Sequence, residues 1–114
     1  MFDFEKLDVY QETKAINKKV LAFIFTSIKD DYIKDQWKKA TLSMMLNLAE
    51  GTGRIANSEK KHFYTISRSA VFECVALMDV LVGMEMLPEE KYKEFYESYE
   101  KISKMMLGLF RNVA

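Results

Sequence analysis

The residue types best suited to chemistry in this chain are one histidine, one cysteine and a group of cations that follows a glycine pair. The spacing Glu59-x-x-His62 sets two metal-ligand types on one helical face, the arrangement by which di-iron bundles present their ligands. A complete site of that kind needs a second such pair and two more inward carboxylates, yet His62 is the only histidine. A symmetric oligomer could gather His62 from several chains, but within one chain no metal site is expected. Cys74 is followed by Val75, Ala76 and Leu77 and has no cation beside it in sequence, so it reads as a buried, inert thiol rather than a nucleophile. Gly51-Thr52-Gly53 ends a helical pattern instead of opening a helix after a strand, which does not make a phosphate cradle. No catalytic residue and no cofactor is assigned, and the expectation is a protein that is not an enzyme.

Charge offers a different chemistry. The chain carries 17 Lys and Arg against 17 Asp and Glu, so no overall field draws it to nucleic acid or anionic lipid. The distribution is uneven, however: Arg54, Lys60, Lys61, Arg68 and the titratable His62 face only Glu59 over that span, with Phe63 and Tyr64 interleaved. These cations suit phosphate contacts without base readout, with Lys38 and Lys39 as secondary contributors. A plain solvated surface is the alternative reading. Repeated about a symmetry axis, the same patch becomes a ring that attracts a polyanion better than one copy does.

Helices must position these groups. With 114 residues, 49% of them hydrophobic and 30% charged, one domain with one core is expected over residues 1–114. One proline and four glycines leave little turn material. The most informative stretch is Gln36 to Arg54, where Trp37, Ala40, Met44, Leu48 and Gly51 recur on one helical face. A polar seam, Gln36, Lys39, Ser43, Asn47 and Glu50, runs beside it. Asn47, Glu50 and Glu73 are expected to form a buried or half-buried polar network that fixes helix register, with Arg68 and Lys39 as further partners.

Periodicity predicts a first helix from Leu7 to about Ile28 and a second that starts after the acidic pair Asp30 and Asp31 and ends at Gly51 or Gly53 in a left-handed turn. A third helix, capped by Asn57 or Ser58, should reach about Met86, and a fourth should open at Pro88. Their matched lengths and short connections predict an all-α, antiparallel up-down-up-down four-helix bundle.

The stretch Gln36, Ala40, Ser43, Asn47, Ala49, Glu50, Gly51, Gly53 and Arg54 resembles the signature of the 23S rRNA intervening-sequence protein family, also described as S23 ribosomal protein-like. Phe4, Leu7, Val9 and Tyr10 fit the family's opening Phe-x-x-Leu-x-Val-Tyr motif, and Glu73 matches a glutamate of its third helix. Lys38 and Lys39 stand where the family has arginines, and Met45 stands where it often has proline, which implies a straighter helix. The resemblance implies a four-helix bundle that self-associates, as a pentamer by its likeness to the accessory variability protein of diversity-generating retroelements. It also implies contact with RNA or DNA.

Together these readings describe a self-associating accessory or binding module that contacts RNA, DNA or a nucleic-acid-processing protein. The alternative is a protein-interaction or structural oligomer with no nucleic-acid role. The unpaired Cys74 and the absence of a leader-like or membrane-spanning run point to the cytosol of a bacterium and to no membrane partner.

Overall fold

The structure, a computed structural model, describes residues 1–114. A short 3-10 turn, Asp3–Lys6, leads into four α-helices: α1 (Asp8–Ser27), α2 (Asp31–Gly53), α3 (Asn57–Gly83) and α4 (Glu89–Arg111). Three of the helix boundaries have a clear local cause. The Asp30 carboxylate accepts the Ile33 N–H at 2.9 Å and starts α2, so the acidic break caps the helix as well as complementing its dipole. Pro88 takes the N-cap position of α4, where its missing N–H leaves no bond unmade. At the end of α3, the Glu85 N–H bonds the Val82 carbonyl and the Met86 N–H bonds the Leu81 carbonyl, the pair of reverse bonds that defines a Schellman motif. Glu85 holds its left-handed position, with φ at 60°, where glycine is usual.

The connections at 28–30, 54–56 and 84–88 are short, so consecutive helices run antiparallel. Sequential neighbours pack together and α4 closes against α1, while across the diagonal α2 and α4 meet only through side chains in the core. The result is an up-down-up-down bundle of 44 × 23 × 22 Å. Trp37, Ala40, Met44, Leu48 and Gly51 are all buried, and so are Val9, Ile16, Val20 and Ile24 of α1. Phe95, Tyr99, Ile102 and Met106 of α4 complete the opposite wall. Phe23, Trp37 and Phe95 meet edge to face with ring centroids 5.9 to 6.3 Å apart, tying α1, α2 and α4 together at one level of the core.

Several local expectations are corrected. No glycine adopts a left-handed backbone, and α2 continues through Gly53. Gly51 is needed for space instead: a Cβ there would stand 2.9 Å from two ring carbons of Tyr64 on α3. Asn57 is the first residue of α3 rather than its cap, and Ala56 holds the cap position with no side-chain bond. The third helix stops at Gly83, short of Met86, because the Schellman bonds turn the chain there.

The register network is also elsewhere. Asn47 donates within its own helix, to the Ser43 carbonyl at 2.9 Å and the Ser43 hydroxyl at 3.0 Å. Glu50 is exposed and pairs with Arg54, while Glu73 is exposed and unpaired. Carboxylates lose less by staying wet than by entering the seam. The buried polar residues are Thr13, Asn17, Thr41 and Ser67. Asn17 Nδ2 donates to the Thr41 carbonyl at 2.8 Å, joining α1 to α2, and Ser67 Oγ donates to the Met44 carbonyl at 2.7 Å, joining α3 to α2. Trp37 Nε1 reaches across the bundle to the Tyr99 hydroxyl at 3.3 Å.

Candidate nucleic-acid interface

The first turns of α3 bring the cations of the Arg54 to Arg68 span to one end of the molecule, but they are not equivalent. Arg54 is bracketed by Glu50 and Glu59, the latter at 3.4 Å, and its guanidinium lies 4.6 Å from the centroid of Phe63. Its charge is largely spoken for. Lys60 donates to the Thr52 carbonyl at 2.9 Å, placing a cation on the carbonyl end of α2. Lys60 therefore serves the α2–α3 corner first.

Lys61 and Arg68 turn the other way, toward α4. The Lys61 ammonium lies 5.3 Å from the centroid of Phe110, and Arg68 donates its Nε–H to the Ser103 carbonyl at 3.1 Å while lying 4.8 Å from the centroid of Phe72. Both cations carry no carboxylate partner. Because α4 runs antiparallel to α3, its last turns lie beside the first turns of α3. Exposed Lys104 follows Ser103, and exposed Arg111 follows Phe110 in the final turn. These two cations lie far from Lys61 and Arg68 in sequence, and only the antiparallel pairing predicted for α3 and α4 could have pointed to them.

Lys38 and Lys39 stand apart from this end. They lie on α2 some fifteen residues before Arg54, a separation of about 20 Å along the axis. Lys38 pairs with Asp35 at 3.3 Å and sits 5.3 Å from the Phe25 centroid, while Lys39 is exposed and free.

Between α3 and α4 lies an open cavity of about 280 Å³, lined by Thr65, Arg68, Ser69, Phe72, Leu107 and Phe110 among others, and Lys61 reaches it through its place on the Phe110 ring. No carboxylate lines it. Beyond Phe72 the same groove continues past Val75 and Ala76 to Asp79 and Glu100, so it is basic at one end and acidic at the other. The Tyr92 hydroxyl donates to Asp79 at 2.7 Å, and that bond, more than burial, holds the phenol protonated and pushes it up to about 12.

The remaining chemistry-bearing groups lie away from this end or lack partners. His62 is exposed, with its ring edge-on to Phe63 at 5.3 Å, and no three side chains of the metal-ligating types converge anywhere. Cys74 is fully buried; desolvation pushes its thiol up to about 12, partly offset by hydrogen bonding with Tyr99 and Thr41. No helix is long and apolar enough to cross a membrane.

The architecture and the surface together define an antiparallel four-helix-bundle protein with a cationic end built from α3 and α4. The family model described as 23S rRNA-intervening sequence protein matches residues 5–108, and the chain belongs to that family. No match to the chain was found among curated proteins.

Proposed function

We propose that this protein is a non-enzymatic, self-associating accessory module that contacts RNA or DNA, alone or within a nucleoprotein, in the bacterial cytosol. The reading is carried by the α3–α4 end, where Lys61 and Arg68 sit on aromatic rings without a carboxylate partner on a chain of zero net charge. The family description, which names an rRNA insertion, agrees with it. Phosphates are the natural ligand for cations left unpaired in this way. Arg54 and Lys60 contribute to the field while holding the α2–α3 corner, and Lys38 and Lys39 form a separate, weaker patch. Self-association multiplies the field by symmetry, and the pentamer of the retroelement accessory protein is the expected assembly.

A second reading is a protein-interaction oligomer that binds no nucleic acid. It is favoured by Leu42 and Leu46, one helical turn apart on the outer face of α2 and 46% and 64% exposed. The test is binding of a labelled structured RNA and a matching DNA duplex, with oligomer mass recorded by sedimentation in the same buffer. Binding that weakens severalfold in Lys61→Glu and Arg111→Glu, at unchanged mass, supports the first reading. A stable oligomer that binds neither probe at low salt supports the second.

A further inference from the structure

Two of the cations at this end, Lys61 and Arg68, lie on aromatic rings and on no carboxylate, which leaves planar faces as well as charge at the surface. A duplex offers phosphates and groove edges; the faces of its bases are buried in its own stack. Single strands expose those faces, and proteins that bind them combine cations with aromatic and guanidinium planes on which bases stack. The cavity between α3 and α4 has that make-up. Phe72 is 56% exposed although it neighbours the core, and the Arg68 guanidinium lies 4.8 Å from its centroid. Arg68 is anchored only through Nε, at Ser103, so both terminal nitrogens remain without a partner. Across the cavity Phe110 carries Lys61 in the same way. The exposed Ser69 hydroxyl, free of any bond within the chain, is available to a base edge or a ribose.

We infer that the α3–α4 groove is a binding site for an unpaired nucleotide, its base stacked on the Arg68–Phe72 pair and its phosphates held by Arg68 and Lys61. The inference rests on the nucleic-acid reading above and narrows it from any polyanion to single strands. Charge sets the direction and length of the footprint. Past Phe72 the groove meets Asp79 and Glu100, which repel a phosphate chain, so the strand leaves toward Lys104 and Arg111 and each copy takes only a short segment. An acidic peptide would satisfy the cations equally but would leave the stacked planes and the Ser69 hydroxyl without a role.

The experiment compares a labelled oligouridylate, a duplex of equal charge and a polyglutamate peptide against the wild type, Phe72→Ala and Ser69→Glu. Both positions are exposed, so melting should hold and serve as the control for folding. The oligouridylate should bind at least tenfold tighter than the duplex, and Phe72→Ala should remove about tenfold of that affinity while leaving duplex binding unchanged. Ser69→Glu should weaken the oligouridylate in the same way. Equal binding of both nucleic acids, untouched by Phe72→Ala, would overturn the groove assignment and leave the broader reading standing. Polyglutamate competing as well as the oligouridylate would overturn it in favour of an acidic protein partner. Failure of every nucleic-acid probe would remove the broader reading and this one together.

Discussion

Arg68 on α3 donates its Nε–H to the main-chain carbonyl of Ser103 on α4 at 3.1 Å, so one side chain both fastens two helices and fixes a cation at the surface. Lysine at this position would keep the charge but lose the planar stack on Phe72 and the second-helix bond. Arg68→Ala is expected to cost about 1 kcal/mol of stability, measured by denaturant unfolding, since a partly exposed charged hydrogen bond and its packing are lost. Arg68→Lys should recover part of the nucleic-acid affinity lost in Arg68→Ala but none of the stacking contribution.

Gly51→Ala tests the close approach of α2 to α3. The new Cβ would stand 2.9 Å from the Tyr64 ring and 3.0 Å from the Cβ of Phe63. Tyr64 is almost fully buried and its hydroxyl bonds Thr52 at 2.9 Å, so the ring has little freedom to retreat. Overpacking of this kind typically costs about 1–3 kcal/mol, and a lowered midpoint with an unchanged denaturant slope would record it.

Glu85→Gly should act in the opposite direction. Glu85 occupies the left-handed position of the Schellman turn, where the penalty on a side-chain-bearing residue exceeds glycine's entropic cost. A gain of about 1 kcal/mol in unfolding free energy is expected, and a loss would show that the Glu85 side chain has a role of its own.

Cys74 makes stability depend on alkaline pH. Its thiol is raised to about 12 in the folded chain, so the neutral form is the one the core tolerates. The contribution is whole below the ordinary thiol range near pH 9 and is lost as pH rises from there through about 12, because the unfolded chain gains its thiolate first. Native protein at pH 8 should react with a disulfide reagent only at the rate of unfolding, and addition of denaturant should release one thiol at once. Fast labelling of the native form would contradict the burial.

Helical periodicity is enough to reach the bundle, because burial follows a face and a face repeats every three to four residues. Trp37, Ala40, Met44, Leu48 and Gly51 are legible in this way. Polar residues are not. Thr41 and Asn47 flank the apolar stripe at similar angles on opposite sides, yet Thr41 is fully buried against Asn17 of α1 and Asn47 is only half-buried. Which short polar group enters the seam depends on the rotation of each helix about its axis, and that is settled by packing. Hence Asn47, Glu50 and Glu73 read as a network in the sequence while Asn17, Thr41 and Ser67 form the buried contacts.

The cations show the same divide. Arg54, Lys60, Lys61 and Arg68 are visible as a run with few acids, but their division into corner holders and free charges comes from Glu50, Thr52 and α4. Gly51 is legible as a special position, but proximity to Tyr64, a tertiary contact, and not a left-handed backbone is what demands glycine there.

Phosphate contact at the α3–α4 end, as proposed, makes affinity depend on salt. The most direct test is the affinity for a labelled structured RNA across a salt series, for the wild type and for Lys61→Glu. A linear fall of log affinity with log salt is expected, with a slope that becomes shallower by about one when Lys61 is reversed. An affinity that does not change with salt, or a slope untouched by Lys61→Glu in a protein that still binds, would contradict it.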